Sequence, residues 1–168
     1  MVFAKTAFEG VTKTSYIEFT LTNQAEPGKL YQLIIGEKAN QVAFPWKIKT
    51  VQPGYFFLEL PVGEYMIRSV AIPVGTTQAV EPINITFSVT PDQANYLGTL
   101  MLIGTKEKIK LGGIPVIQPG FEYQAVIIDQ SEEARQEFMK NYPELTQPVK
   151  VQLMRINPLQ QADAPTSP

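Results

Sequence analysis

Asp129, Glu132 and Glu133 are the densest group of carboxylates in the chain. Such a group could hold a hard cation if its oxygens converged. It could also share acid–base work if a partner faced it across a cleft. Its spacing equally suits the first turn of a helix, where acidic side chains complement the dipole and cap free amides. The flanking residues favour this structural reading. Glu59 and Glu64 are the other carboxylates that could join Asp129 and Glu132 in a two-carboxylate glycosidase, provided they share one cleft. Trp46, Tyr31, Tyr55 and Tyr65 could form an aromatic platform for sugar rings, with Trp46 and Tyr55 the candidate binding residues. Large aromatics in a β-sandwich more often fill the core. Lys106, Lys108 and Lys110 alternate, so they share one face of a strand. That pattern suits a charged edge that resists aggregation better than a polyanion site. Lys5, Lys13, Lys38 and Lys140 lack any neighbour that would depress a lysine pKa. Gly112-Gly113 precedes Ile-Pro and not a helix, so it is no phosphate loop. Asn84-Ile85-Thr86 has the form of a glycosylation sequon but falls inside a strand pattern.

Composition narrows the chemistry further. The 168 residues include no cysteine and no histidine. Disulfides, thiol nucleophiles and thiolate metal sites are excluded, as are the imidazole base and ligand. Fourteen basic and 16 acidic residues leave a net charge of -2, with no electrostatic footprint for nucleic acid. No apolar run approaches the ~18 residues of a membrane span, and Met-Val-Phe-Ala-Lys lacks a signal-peptide layout. The expectation is a non-enzymatic chain with no catalytic residues, no metal and no cofactor.

The elements that would position these residues are short. Fourteen prolines and 11 glycines break the chain into many pieces, the habit of all-β domains. Ser15 to Thr22 alternates, with Ile17, Phe19 and Leu21 on one face and Tyr16, Glu18 and Thr20 on the other. Glu26-Pro27-Gly28-Lys29 reads as a turn, Leu30 to Ile35 as a strand, and Gln41 to Thr50 as a strand interrupted at Pro45. Residues 55–72 read as a β-hairpin reversing at Pro61-Val62-Gly63, and Pro73 to Pro82 as a loop. Ile83, Ile85, Phe87 and Val89 alternate cleanly. Tyr96 to Ile103 is apolar at nearly every position, which predicts cover on both faces. A short strand near Lys106 to Leu111 and another over Glu122 to Ile128 follow. Asp129 and Glu132 have capping-box spacing, and Ala134, Phe138, Tyr142 and Leu145 mark one apolar helix face. Pro143 stops that helix near Tyr142, placing it at about residues 130–142. Val149 to Ile156 reads as the last strand. The expectation is one antiparallel β-sandwich domain over residues 1–156, of eight to ten strands. A flexible Pro/Gln-rich tail over 157–168 would follow.

Phe56-Phe57-Leu58-Glu59-Leu60-Pro61-Val62-Gly63-Glu64-Tyr65-Met66-Ile67 resembles a recurring stretch of transthyretin-like, carboxypeptidase-regulatory-like and Cna-B-like sandwich domains, within the broader Ig-like architecture. Phe87-Ser88-Val89-Thr90-Pro91, with Asn95-Tyr96-Leu97-Gly98-Thr99-Leu100, is similar to a strand pair of uncharacterised bacterial lipoproteins. The order Ile128-Asp129, Glu132-Glu133, Tyr142-Pro143 matches the same proteins, so the resemblance spans roughly residues 53–150. No lipobox cysteine stands near the start, so a lipid anchor would require a trimmed native N-terminus. The resemblance implies a cell-envelope module, periplasmic or membrane-anchored, that presents a surface or sheet edge to a protein or glycan partner. Absence of a signal layout leaves a cytoplasmic chain open. The alternative is a structural subunit of a virion, filament or secretion apparatus.

Overall fold

The computed structural model describes residues 1–38, 47–111 and 117–159. Two sheets pack face to face around one apolar core, and a short helix lies on the outer face of one of them. The β-sandwich fold and the lone helix are as expected from the strand pattern.

The first sheet contains β1 (Val2–Gly10), β5 (Gly54–Leu58), β8 (Ala94–Leu111), β9 (Ile117–Ile128) and β10 (Val149–Val151). The second runs β11 (Arg155–Ile156), β7 (Thr77–Val89), β6 (Gly63–Val74), β2 (Tyr16–Asn23), β3 (Glu26–Gly36) and β4 (Lys47–Val51). Most pairs are antiparallel, but β1–β8, β10–β8 and β3–β4 are parallel, so both sheets are mixed.

The largest departure from the strand pattern is β1. Its sequence, Val-Phe-Ala-Lys-Thr-Ala-Phe-Glu-Gly, shows no apolar–polar alternation because both of its faces are covered. Val2 and Ala4 point into the main core, while Phe3 joins Tyr96, Ala134 and Phe138 beneath the helix. β8 is likewise covered on two sides: Leu97, Leu100 and Leu102 belong to the core, and Tyr96 to the helix layer. A bulge interrupts the β1–β8 pairing, since two steps along β1 match three along β8 between Phe3↔Tyr96 and Lys5↔Thr99. Gly98 occupies the bulge at φ +98°, and a Cβ there would lie 2.9 Å from Ile127 Cγ2. At this point β8 changes neighbour from β10 to β9.

Four local expectations are corrected. Residues 55–72 form no hairpin: β5 belongs to the first sheet and β6 to the second. Pro61-Val62-Gly63 is a corner between sheets, tied by the Tyr65 hydroxyl, which donates to the Pro61 carbonyl four residues back at 2.7 Å. This is the geometry of a tyrosine corner. Pro73 to Pro82 is no loop, because β6 and β7 pair continuously to Val74↔Thr77 around Gly75-Thr76. The turn after β2 falls at Gln24-Ala25, held by Asn23 Oδ1 accepting from the Ala25 amide, so Glu26 already belongs to β3. The last strand is two strands: β10 pairs with β8, then the chain crosses to lay β11 against β7. Of the strand read over Gln41 to Thr50, residues 41–46 lie outside the described residues.

The helix α1 (Ser131–Asn141) ends at a Tyr142 cap before Pro143. Its start differs from the capping-box reading: Gln130 is the N-cap, and Asp129 Oδ1 instead accepts from the Ser131 amide. Ala134 and Phe138 are buried and Tyr142 is half-buried, but Leu145 is exposed beyond the helix. Asn157 continues the β11 line, its amide donating to the Asn84 carbonyl. Residues 160–168 lie outside the described set.

Candidate functional site

The carboxylates and lysines singled out by residue type disperse over the molecule. Glu59, Glu64, Asp129 and Glu132 are all exposed: Asp129 and Glu132 lie at the start of α1, Glu64 on β6 and Glu59 just past β5. Among the described residues no group of three metal-ligating side chains gathers. Glu132 and Glu133 occupy the first helical turn. Glu133 reaches across to Lys5 Nζ at 2.9 Å, which fastens α1 to β1. That hydrogen bond holds the Glu133 carboxyl below its ordinary value.

The aromatic candidates do not share a surface. Tyr31 and Tyr65 are buried in the core, where they meet edge to face and Tyr65 stacks on Phe87. Trp46 lies outside the described residues. Tyr55 sits on β5 in the helix layer, with Lys5 Nζ 5.0 Å from its ring centre. The Tyr55 hydroxyl is buried beside the Glu133 carboxylate. Burial first, and the nearby Glu133 charge second, push this phenol well above its ordinary value.

Two polar clusters were invisible in the residue pattern. Glu81 points inward from β7 between Ala79 and Ile83, and only 5% of it is exposed. Its Oε1 accepts from Lys110 Nζ at 2.9 Å and from the Phe121 amide at 3.0 Å, while Lys108 lies 3.9 Å from Oε2. The Tyr123 hydroxyl donates to the Pro82 carbonyl beside it. Burial, and then Glu81, raise the Tyr123 phenol above its ordinary value. Together these contacts clasp β7 to the β8–β9 ribbon. Two of the three alternating lysines thus serve an internal carboxylate. The second cluster centres on Glu18, also buried, whose carboxylate pairs with Lys38 and accepts from Gln32 and Gln78. The only sequence signal for either was an acidic residue at a position whose neighbours alternate with it. For Glu18 that alternation pointed outward, to solvent.

What remains is the edges of the sheets. β11 is two residues long and β10 three. β4 carries the exposed Lys49. β9 has its Phe121 amide taken by Glu81, with the lysine ribbon alongside. Short length, lysines and inward charges are the standard means of blunting an edge. β5 has none of them. Its sequence, Gly-Tyr-Phe-Phe-Leu, carries no charge, no proline and no bulge. β5 pairs only with β1, and among the described residues no strand lies against its other side. Phe56 and Leu58 face the core, while Tyr55 and Phe57 face the helix layer. The Pro53-Gly54 turn and the exposed Glu59 bracket it.

Comparison of the chain with family models, curated proteins and solved structures finds no match.

Proposed function

We propose that this chain is a non-enzymatic binding module of the bacterial cell envelope that takes a protein partner by strand addition along β5. The carrying observation is the unguarded outer edge of β5, in a sandwich whose other edges are short, charged or capped. An extended segment laid there would continue the sheet through main-chain hydrogen bonds, with alternate side chains meeting Tyr55 and Phe57 on one side and Phe56 and Leu58 on the other. The envelope assignment rests on the likeness of residues 53–150 to bacterial lipoproteins. The protein partner is favoured over a glycan because Tyr31 and Tyr65 are buried and the Tyr55 ring already has Lys5 over it.

A photo-cross-linking residue at Glu59, an exposed position beside β5, tests this in cells of the source. The expected result is a discrete adduct from position 59 and none from Met139, also exposed, on α1. Adducts from neither position, or equally from both, would overturn the proposal. The assembly-subunit reading draws on the same edge and differs in the adduct's composition.

A further inference from the structure

We infer that the strand received by β5 is β5 of a second copy of this chain, paired antiparallel about a two-fold axis at Phe56. This deepens the strand-addition reading and rests on it. In a two-fold antiparallel pair each residue meets its mirror position, so Tyr55 falls opposite Phe57 of the other copy, Phe56 opposite Phe56, and Gly54 opposite Leu58. Aromatic residues directly opposed across strands stabilise the pair, and here they are opposed on both faces of the sheet. Flanking charge is equally compatible. The first ionised side chain beyond the strand, Glu59, falls opposite Pro53 and not opposite another carboxylate, while Lys5 lies over the Tyr55 ring from β1, the strand on the far side of β5 from the joint.

The joint also answers two features of the isolated chain. An uncharged, aromatic, unbulged edge is an aggregation hazard unless it is covered, and the other edges here carry guards. A closed two-fold pairing covers β5 once and leaves no new copy of that edge, so assembly stops at two. Five-stranded sheets from the two copies would join into one sheet of twice the width.

The chain contains no cysteine, so introduced thiols report without background. Pro53→Cys and Glu59→Cys are made as separate single variants, both at exposed positions outside the strand. In the inferred register position 53 of one copy faces position 59 of the other, within disulfide reach. Two like positions stand about 20 Å apart at ~3.4 Å per residue, beyond it. The expected result is a disulfide-linked dimer when the two variants are mixed under mild oxidation, with each variant alone at background. The unmodified chain should sediment at twice its 18.7 kDa mass as concentration rises. Sedimentation at 18.7 kDa at all concentrations with no mixed disulfide overturns the two-fold pairing. A position-59 photo-adduct to a different protein would then keep the strand-addition reading alone, and no adduct would end both. A sedimenting dimer that cross-links no better in the mixture than in either variant places the interface elsewhere and likewise overturns the inference.

Discussion

Glu81 is the residue on which the closed side of the sandwich depends. A carboxylate 5% exposed is tolerated only because two lysines and a main-chain amide converge on it. Glu81→Ala would leave the Phe121 amide without its acceptor and the Lys110 ammonium with the Val80 carbonyl alone. Removing one partner of a buried pair costs about 3–5 kcal/mol; the lysines here are a third exposed, so the loss should sit at or below the lower end, near ~2–3 kcal/mol. Urea unfolding would read it as a lower midpoint with an unchanged slope. Gly120→Ala should act in the same place, since a Cβ there would stand 2.6 Å from Glu81 Oε1. Thr6 offers the opposite case. Its hydroxyl is buried without a partner beside an apolar void of about 30 Å³. Thr6→Val keeps the shape and removes the orphan, so it should stabilise by about 1 kcal/mol, seen as a rise in Tm. A fall would mean that the hydroxyl is satisfied in solution. At this scale the sequence was least informative. Glu81 and Glu18 look like solvated positions in a list of residue types, and only the facing strand shows what they meet. Tyr55 was legible as an aromatic of interest, but not the Lys5 and Glu133 that flank it, because these come from elements far apart in the chain.

The helix α1 is held to the first sheet by three different means. Ala134 and Phe138 bury against Phe3 and Tyr96, with Phe3 and Phe138 rings 5.3 Å apart. At its start, Thr99 donates to the Gln130 side chain at 2.7 Å and the Gln130 amide donates to the Tyr96 hydroxyl. The Lys5–Glu133 bond adds a titratable tie at the surface. Because the folded state lowers the Glu133 pKa from its ordinary 4.5, its stabilisation is fully present above that value. It is lost as pH falls through the lower folded value. The stability difference between the wild type and Glu133→Gln should therefore be constant near neutrality and shrink toward zero in acid. A difference that grew on acidification would contradict the assignment. Helix length, its Pro143 stop and its apolar face were all readable from sequence, because a helix is a local pattern. The strand pairing of Phe56 to Ile67 was not. The same residues serve a hairpin or a corner, and the choice depends on the Tyr65-to-Pro61 bond and on which sheet has room. β1 escaped notice for a related reason: a strand buried on both faces has no period to detect.

Over the whole molecule, the chain changes sheet repeatedly: after β1, β4, β5, β7 and β10. Each crossing ties the two layers together, and the last brings the C-terminal residues of the described chain back to β7. The eleven strands of the described residues exceed the eight to ten expected, because β1 has no period and the last strand divides in two. The two-layer packing follows from alternation and turn density. The three parallel pairs do not, since nothing local distinguishes a parallel neighbour from an antiparallel one. The result is asymmetric. One side of the sandwich is fastened by Glu81, Lys110 and Tyr123; on the other, consecutive strands β4 and β5 end the two sheets. The account places the working surface at β5.

Amide hydrogen exchange over Gly54–Leu58 tests that placement most directly, read in the purified chain at high dilution and again in native envelope extract. Edge amides without a partner exchange fast, and pairing slows them. The account predicts rapid exchange of the outward-pointing amides of β5 on dilution, marked slowing of those same amides in the extract, and slow exchange for Val2–Thr6 of β1 in both. Equal exchange of Gly54–Leu58 in the two conditions would contradict it, by showing that β5 gains no partner in its native setting.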